Sequence, residues 1–289
     1  MALEAYLIHI MILISIYIIL AISLDLAMGF TGLLNIGHIA FYGIGAYASA
    51  LLTLNLGFPF WIAILVSGLI AALFGVLLAI PTIKLRGDYL AIATLGFAII
   101  IEAIFKNWIE LTRGPLGIPG IPRPSIFGFV FQEFSYLLLV LVFVLITYLV
   151  IMHIVESPFG RVLKAIREDE LAASSLGKNT IKYKTIALAI SAFFAGIAGS
   201  LYAHYITFID PTTFTVLESI LIISMIILGG LASIQGAIFG AIILILIQEP
   251  IRFLPLPSFS IGALRQMIYS ALLIILLIFQ PNGLFGGEK

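Results

Sequence analysis

Residues 156–184 read ESPFGRVLKAIREDELAASSLGKNTIKYK and form the longest polar interruption of an otherwise apolar chain. The stretch holds ten of the 14 basic and 14 acidic residues of the protein. It separates apolar segments that are each long enough to cross a bilayer as a helix. We therefore expect this stretch to be the main contact of the protein with water.

Cap residues bracket a helix within this stretch. Ser157 can cap the first turn, Pro158 suits the first helical position, and Gly177 suits a left-handed C-terminal cap. These signals predict one helix of about 19 residues from Pro158 to Leu176. Its apolar positions recur at helical spacing and form one face: Phe159, Val162, Leu163, Ile166 and Ala173.

The charge order of this helix opposes the helix dipole. Arg161, Lys164 and Arg167 occupy the first half. Glu168, Asp169 and Glu170 follow them, although acidic residues are favoured near a helix N-terminus. Two interpretations remain open from the residues alone: an amphipathic helix in the headgroup layer, or a docking element for a soluble protein.

The composition indicates a polytopic membrane protein. Hydrophobic residues make up 62% of the 289 residues and charged residues 10%, against roughly 25% charged in soluble domains. The net charge is zero and no second basic tract occurs, so nothing indicates a nucleic-acid partner. The chain has no cysteine, which excludes disulfides and thiol chemistry.

Charge-poor stretches mark the predicted spans. The fold class is all-α, a transmembrane bundle of about eight to ten spans with broken or re-entrant segments. We treat residues 1–289 as one transmembrane domain. Glu4 stands where a signal peptide carries positive charge, so the first span is expected to stay. The predicted spans are 5–24, 38–56, 59–83, 89–106, 134–153, 185–205, two shortened ones around a glycine break within 219–248, and 263–279.

Basic residues predict the orientation. The 156–184 loop carries six of them and is expected in the cytoplasm. Counting spans from it places the proline-rich loop 107–133 outside and the C-terminus inside. Arg252 and Arg265 would then lie on the outer side, which weakens the excess of basic residues on the inner side.

Motifs for covalent chemistry are absent from the sequence. Gly177-Lys178 is followed by Asn179, and Ala172 stands where a Walker A motif needs its first glycine. The four histidines lie far apart, with no HExxH motif, and no GxSxG elbow occurs. We expect neither an enzyme nor a metal site.

Polar residues inside apolar segments are the remaining candidates for function. Glu102 either snorkels to the surface, paired with Lys106, or lines a pathway. The stretch from Asp25 to His38 is either unwound backbone inside the protein or a connecting turn. Residues 229–236 are either a pore-lining break or a short turn with a packing face. Residues 32–36 and 230–234 share a weak internal sequence similarity.

Several segments resemble a known family. They are SPFGRVLKAIREDELAASSLGKN from Ser157, LRGDYLAIATLGF from Leu85, TRGPLGIPGI from Thr112, LGGLASIQGAIFGA from Leu228 and QPNGLFGG from Gln280. Together they resemble the permease subunits of branched-chain amino acid ABC importers, most closely their LivM branch. The likeness spans nearly the whole chain. One departure is Ala232 with Ile234-Gln235, where such permeases tend to carry a glycine and a Gly-Pro pair.

The resemblance implies a function and partners. Loop 156–184 would be the cytoplasmic coupling element that contacts an ATPase. The residues assigned to it are Pro158, Gly160, Arg161, Arg167, Glu168, Asp169, Glu170 and Gly177. The chain itself would hold no cofactor, because two ABC ATPase subunits would hydrolyse the ATP. A second homologous permease of the LivH type, an extracytoplasmic substrate-binding protein and the lipids of the cytoplasmic (inner) membrane complete the expected partners.

The translocation pathway is expected near four polar residues: Asn35, His38, Thr94 and Glu102. Two alternatives remain open. The importer could carry another small polar solute, such as urea, amides or other amino acids. The chain could also be an ion-coupled secondary transporter, whose relay would need Asp25, Glu102 and Glu218.

Overall fold

The computed structural model describes residues 2–85, 87–126, 129–248, 267, 271 and 283–285. The predicted span 263–279, the loop 249–262, the C-terminal tail and Arg86 lie wholly or largely outside these residues. The helices are α1 (Ala2–Met28), α2 (His38–Asn55), α3 (Phe60–Thr82), α4 (Asp88–Asn107), α5 (Ile109–Thr112), α6 (Glu133–Glu156), α7 (Pro158–Glu168), α8 (Glu170–Ser175), α9 (Thr180–Ile206), α10 (Val216–Gly229) and α11 (Ile234–Gln248).

The observed architecture is a helical bundle suited to a membrane, as predicted. Five of the described helices, α1, α3, α4, α6 and α9, are long and apolar enough to cross a bilayer. Their outward faces carry exposed apolar side chains such as Leu69, Ile100 and Leu145. The helix α2 is largely covered by protein, mainly by α3 and α9.

Helix α9 lies at the centre of the bundle and packs on α1, α2 and α3. Its small residues allow close approach to the neighbouring helix α2. A Cβ added to Gly45 would lie 2.2 Å from the carbonyl oxygen of Gly196, and one added to Gly199 would lie 2.0 Å from that of Tyr42. Helices α2 and α9 therefore touch backbone to backbone.

The predicted glycine break divides α10 from α11. Gly230 adopts φ 105° and Ala232 φ 62°, both in the region that favours glycine. The two helices then pack along glycines, since a Cβ on Gly229 would lie 1.9 Å from the carbonyl oxygen of Gly236. The break is thus a tight turn in a hairpin of two short helices.

The proline-rich loop contains more regular structure than predicted. A four-residue helix, α5, precedes its prolines, and a 3-10 turn covers Gly114–Leu116. Strand β1 (Ile118–Pro119) pairs with the later strand β4 (Phe208–Ile209), and β2 (Ser125–Ile126) pairs with β3 (Phe129–Val130). The loop lies at the end of the bundle opposite to α7 and α8, which we call the distal end; the end that carries α7 and α8 is the coupling end.

Candidate functional site

Within loop 156–184, residues 157–178 hold the two helices α7 and α8, and from here on the name coupling element is kept for these residues. The coupling element begins as the sequence predicted. The Ser157 side chain accepts hydrogen bonds from the N–H groups of Phe159 and Gly160 at 3.2 and 3.3 Å. Pro158 opens α7 at the position where its missing N–H costs nothing. A Cβ on Gly160 would lie 2.2 Å from the carbonyl oxygen of Val155, so only glycine lets α7 turn closely against the end of α6.

The prediction of one continuous helix from Pro158 to Leu176 is wrong. The chain breaks at Asp169, whose backbone is extended with φ −151° and ψ 106°. The Asp169 carboxylate accepts hydrogen bonds from the N–H groups of Leu171 and Ala172 at 2.8 and 3.0 Å, and so caps a second helix, α8. This cap satisfies the first amides of α8 and stabilises the break.

The break also changes the interpretation of the charge order. Asp169 and Glu170 stand at the N-terminus of α8, where the helix dipole favours acidic residues. Only Glu168, at the end of α7, keeps the unfavourable position. The charge order therefore fits two short helices in series, and most of the acidic residues stand where the helix dipole stabilises them.

The coupling element ends in the predicted glycine cap. Gly177 adopts φ 78°, in the left-handed region. Its N–H donates to the carbonyl of Ser174, and the N–H of Lys178 donates to that of Ala173, at 2.9 and 3.3 Å. These are the paired hydrogen bonds of a Schellman motif.

The two faces of the coupling element divide as the periodicity predicted. Leu163, Ile166 and Ala173 are buried, whereas Phe159 and Val162 are half-buried. The opposite face exposes four of the assigned charged residues: Arg161, Arg167, Glu168 and Asp169. A soluble partner can therefore reach these charges while the apolar face holds the element to the bundle.

Specific contacts tie the coupling element to the bundle. Lys184 on α9 forms an ion pair of 2.7 Å with Glu170, and only 7% of the lysine side chain and 21% of the glutamate side chain are exposed. Phe159 stacks on Tyr183 with ring centroids 5.1 Å apart. Such partly buried contacts resist the screening that weakens surface ion pairs.

The coupling element also touches the turn between α1 and α2. A Cβ on Gly32 would lie 3.4 Å from Cγ of Arg167, so the arginine stem packs on the turn. Lys164 stands over the Phe30 ring at 5.7 Å. A cavity of about 200 Å³ opens between these elements and includes Leu85, Leu90 and Ile166 in its walls.

The turn at residues 29–37 is irregular backbone enclosed by protein. Phe30, Thr31, Leu33 and Asn35 are all buried. Its backbone polar groups are met by side chains, since Thr94 accepts from the N–H of Ile36 at 3.0 Å and Ser219 donates to the carbonyl of Ile36. Both interpretations of this stretch were thus partly right, because it connects two helices and is also unwound inside the protein.

Two predicted pathway residues carry buried polar atoms without a partner in the described part of the protein. Both side-chain atoms of Asn35 are in this state, and so is Nδ1 of His38. His38 Nε2 lies 3.0 Å from the Ser23 hydroxyl. Leaving a buried polar group unsatisfied costs about 1–3 kcal/mol, so these atoms are candidates for hydrogen bonds to water or to a solute.

Glu102 is not brought together with the other three pathway residues. It lies eight residues beyond Thr94 on α4, about 12 Å along the helix axis. Its carboxylate forms an ion pair of 2.5 Å with Lys106, as the snorkelling interpretation predicted.

Within the described residues, His, Asp and Glu side chains form no cluster that could hold a metal ion.

A contact that the sequence did not reveal joins the two interrupted regions. Asp25 is completely buried, and its Oδ1 accepts a hydrogen bond of 2.9 Å from the backbone N–H of Ala232. The two segments that share a weak sequence similarity, 32–36 and 230–234, therefore belong to two turns that lie side by side. A lone charge in an apolar segment was the only available signal of this contact.

Comparison with known proteins identifies relatives over most of the chain. A family described as the branched-chain amino acid transport system permease component matches residues 6–277. The permease protein LivM of Escherichia coli K12 is 37% identical across 93% of this chain and 67% of its own length. No solved structure shows significant similarity.

Two further relatives extend this likeness. A probable LivM permease of Methanocaldococcus jannaschii is 25% identical, with 93% of this chain and 90% of the relative covered. The permease LivH of Escherichia coli K12 is also 25% identical, with 94% of this chain and 92% of the relative covered.

Proposed function

The chain belongs to the branched-chain amino acid transport permease family, and from this premise we propose that it is the membrane-spanning subunit of an ABC importer for branched-chain amino acids. The relatives LivM and LivH are named as permease proteins of a transport system and not as enzymes. The observation that carries the proposal is the agreement between a family match over residues 6–277 and a capped, charged element at one end of an apolar bundle.

The coupling element serves as the docking site for a cytoplasmic ATPase. This assignment is supported by its anchored apolar face and by the exposed charges Arg161, Arg167, Glu168 and Asp169. The adjacent cavity of about 200 Å³ offers a socket for a side chain of the partner. Because the stretch 156–184 carries six of the ten lysines and arginines in the described part of the chain, the positive-inside rule supports placing the coupling end in the cytoplasm.

Movement of the coupling element reaches the interior through direct contacts. Arg167 packs on Gly32, and the turn that contains Gly32 follows α1 within four residues. The carboxylate of Asp25, in the last turn of α1, accepts a hydrogen bond from the N–H of Ala232 at the break between α10 and α11. A displacement imposed by the ATPase on α7 therefore acts on both interrupted regions together, so that the two conformations differ in how α1, α10 and α11 are placed.

The translocation pathway passes the turn at residues 29–37. The unsatisfied side-chain atoms of Asn35 and His38 support this assignment, since a passing solute or water would meet their hydrogen-bonding needs. Thr94 acts on the shape of the turn by binding its backbone. Glu102 would contribute only at the distal end of the pathway, where it lies with Lys106.

The complete importer contains further subunits. A second permease is indicated because LivM-type and LivH-type permeases both align with this chain. We expect two ABC ATPase subunits at the coupling end and a substrate-binding protein at the distal end. The sequence carries no Walker A motif, so we expect the ATPase subunits to bind and hydrolyse the ATP.

A co-purification experiment tests the docking assignment. The tagged chain is expressed with its candidate ATPases, and the amount of ATPase retained on the affinity resin is measured. Arg167→Glu should reduce retention about tenfold or more, because a charged contact becomes repulsive. Arg123→Glu, a matched reversal at an exposed residue of the distal end, should retain the wild-type amount. Equal retention by the two variants would overturn the assignment.

A further inference from the structure

Helices α3, α6 and α9 enclose an apolar groove in the half of the bundle nearer to the coupling end. The groove, which we call the three-helix groove, has a volume of about 390 Å³. All three helices are long and apolar enough to cross a bilayer. Val150 and Ile186 are exposed, so the groove opens toward the lipid around the bundle. Its walls include Ala72 and Val76 on α3, Val150 and Ile154 on α6, and Ile186 and Ala189 on α9.

The walls of the three-helix groove suit a hydrocarbon chain. They carry no charged side chain, and their one hydroxyl, that of Thr185, donates to the carbonyl of Ile181 at 2.8 Å. Most of the other wall residues are large, among them Ile190 and Phe193. Helices that pack closely in a membrane meet over small residues, because these let the two backbones approach. A flexible acyl chain therefore fits this surface better than a further protein helix does.

Two lysines stand at the coupling end of the three-helix groove. Lys182 precedes Thr185 and Ile186 by one helical turn and so lies on the same side of α9 as the groove. Lys84 lies two residues past the end of α3. Both lysines are exposed, and neither forms an ion pair within the described part of the chain. Their ammonium groups are therefore free to bind an anion at the membrane surface.

The acidic residue at this end of α6 does not oppose such an anion. Glu156 follows Ile154 by two residues, and residues two apart point to different sides of a helix. Basic residues beside transmembrane helices attract anionic lipid headgroups. An apolar groove that ends at two lysines thus matches a phospholipid whose headgroup is negatively charged.

We infer that the three-helix groove binds one acyl chain of an anionic phospholipid and that Lys84 and Lys182 bind its phosphate. The assignment of this lipid to the cytoplasmic leaflet rests on the orientation in the proposed function. The site itself depends only on the groove and on the two lysines at its end.

The bound lipid lies between the two helices that hold the coupling element. Ile154 on α6 is three residues before Ser157, and its carbonyl accepts a hydrogen bond of 2.6 Å from the Ser157 hydroxyl that also caps α7. Thr185 on α9 directly follows Lys184, which forms the ion pair with Glu170 on α8. An acyl chain that fills the groove therefore supports both attachments of the coupling element, and the anionic lipid increases transport.

Photocrosslinking of the assembled membrane complex tests the site. The complex is placed in phosphatidylcholine nanodiscs that contain a small fraction of a lipid with a diazirine on one acyl chain, either phosphatidylglycerol or phosphatidylcholine. Labelled peptides are then quantified by mass spectrometry. Residues 185–193 should be labelled about tenfold more by phosphatidylglycerol. The peptide around Leu145, on the exposed face of α6, should be labelled equally by both lipids.

Variants separate the role of the lysines from that of the groove. The double variant Lys84→Gln/Lys182→Gln should be labelled equally by the two lipids at residues 185–193. Lys178→Gln removes an exposed lysine ahead of α9 and should keep the preference. Ala189→Phe fills the groove from a half-buried position and should reduce labelling by both lipids, whereas Leu145→Phe should leave it unchanged.

Three results would overturn the site. They are equal labelling of residues 185–193 by the two lipids in the wild type, a preference that persists in the double variant, and labelling at Leu145 with none at residues 185–193. The last result would mean that another subunit covers the groove.

ATP-driven leucine uptake in proteoliposomes tests the effect of the lipid on transport. Uptake should rise several-fold as phosphatidylglycerol replaces phosphatidylcholine, and it should stay flat in the double variant Lys84→Gln/Lys182→Gln. A flat response of the wild type would overturn the effect on transport. If the wild-type complex takes up no leucine with ATP and still shows the labelling preference, the proposed function fails and the lipid site stands.

Discussion

Asp25 Oδ1 accepts a hydrogen bond of 2.9 Å from the backbone N–H of Ala232, across 207 residues of sequence. The contact joins the last turn of α1 to the break between α10 and α11. The turn at residues 29–37, which directly follows α1, packs on Arg167, so the two contacts together connect the coupling end with the interior of the bundle.

Asp25→Ala should destabilise the protein by about 1–3 kcal/mol, because it leaves the Ala232 N–H buried without an acceptor. Asp25→Asn keeps an acceptor oxygen and should recover most of the loss. The thermal unfolding of the purified chain in detergent measures both effects. Asp88→Ala, at an exposed residue in the first turn of α4, is the control. Equal losses for the Asp25→Ala and Asp88→Ala variants would show that the Asp25 contact contributes nothing.

Gly29→Ala should prevent correct folding or strongly reduce the yield of folded protein. The added Cβ would lie 1.9 Å from Asp25 Oδ1 and 2.5 Å from the Ala232 nitrogen, so the two turns must separate. Gly96→Ala is the matched control, since nothing lies within 4 Å of its added Cβ. That change should stabilise α4 by up to about 1 kcal/mol. Monodisperse protein recovered by size-exclusion chromatography is the measurement, and equal yields would contradict the close approach.

The cap at Asp169 makes a prediction about local stability. Asp169→Ala removes the acceptor for two amides and should cost α8 about 0.5–2 kcal/mol. Amide hydrogen exchange over residues 170–176 should then speed up, whereas Asp169→Asn should stay near the wild type. Glu168→Ala, which removes an adjacent charge without removing a cap, serves as the control. Unchanged exchange in Asp169→Ala would restore the single-helix interpretation.

The ion pair between Glu170 and Lys184 should be tested as a pair. Glu170→Lys and Lys184→Glu each place two like charges together in a partly buried site, and each should reduce ATP-driven uptake. The double variant restores opposite charges and should recover much of the activity, with an interaction energy of about 0.5–3 kcal/mol. Losses that simply add would mean that the two side chains act separately.

Local signals made the outline of this protein predictable from its sequence. The spans follow from charge-free length, and the ends of the coupling element follow from Ser157, Pro158 and Gly177. Each of these signals acts within a few residues of the structure that it specifies. The break at Asp169 was missed because an aspartate suits both a helix surface and a helix cap, and only the backbone geometry distinguishes the two.

Contacts between distant residues could not be predicted in the same way. Asp25 and Ala232 are 207 residues apart, and Tyr17 and Glu218 are 201 apart. Hydrophobic periodicity says which face of a helix is buried and nothing about its neighbour. For the same reason the sequence could not show that Glu102, expected in the same pathway as Asn35, lies far along α4 from the turn that Thr94 contacts.

Reconstituted uptake tests the central claim most directly. The chain is placed in proteoliposomes with the second permease, the two ATPases and the binding protein, and accumulation of leucine is followed with and without ATP. We predict uptake only when ATP and every subunit are present, and a loss of about tenfold or more in Arg167→Glu. Uphill accumulation of leucine by this chain alone, without ATP, would contradict the account.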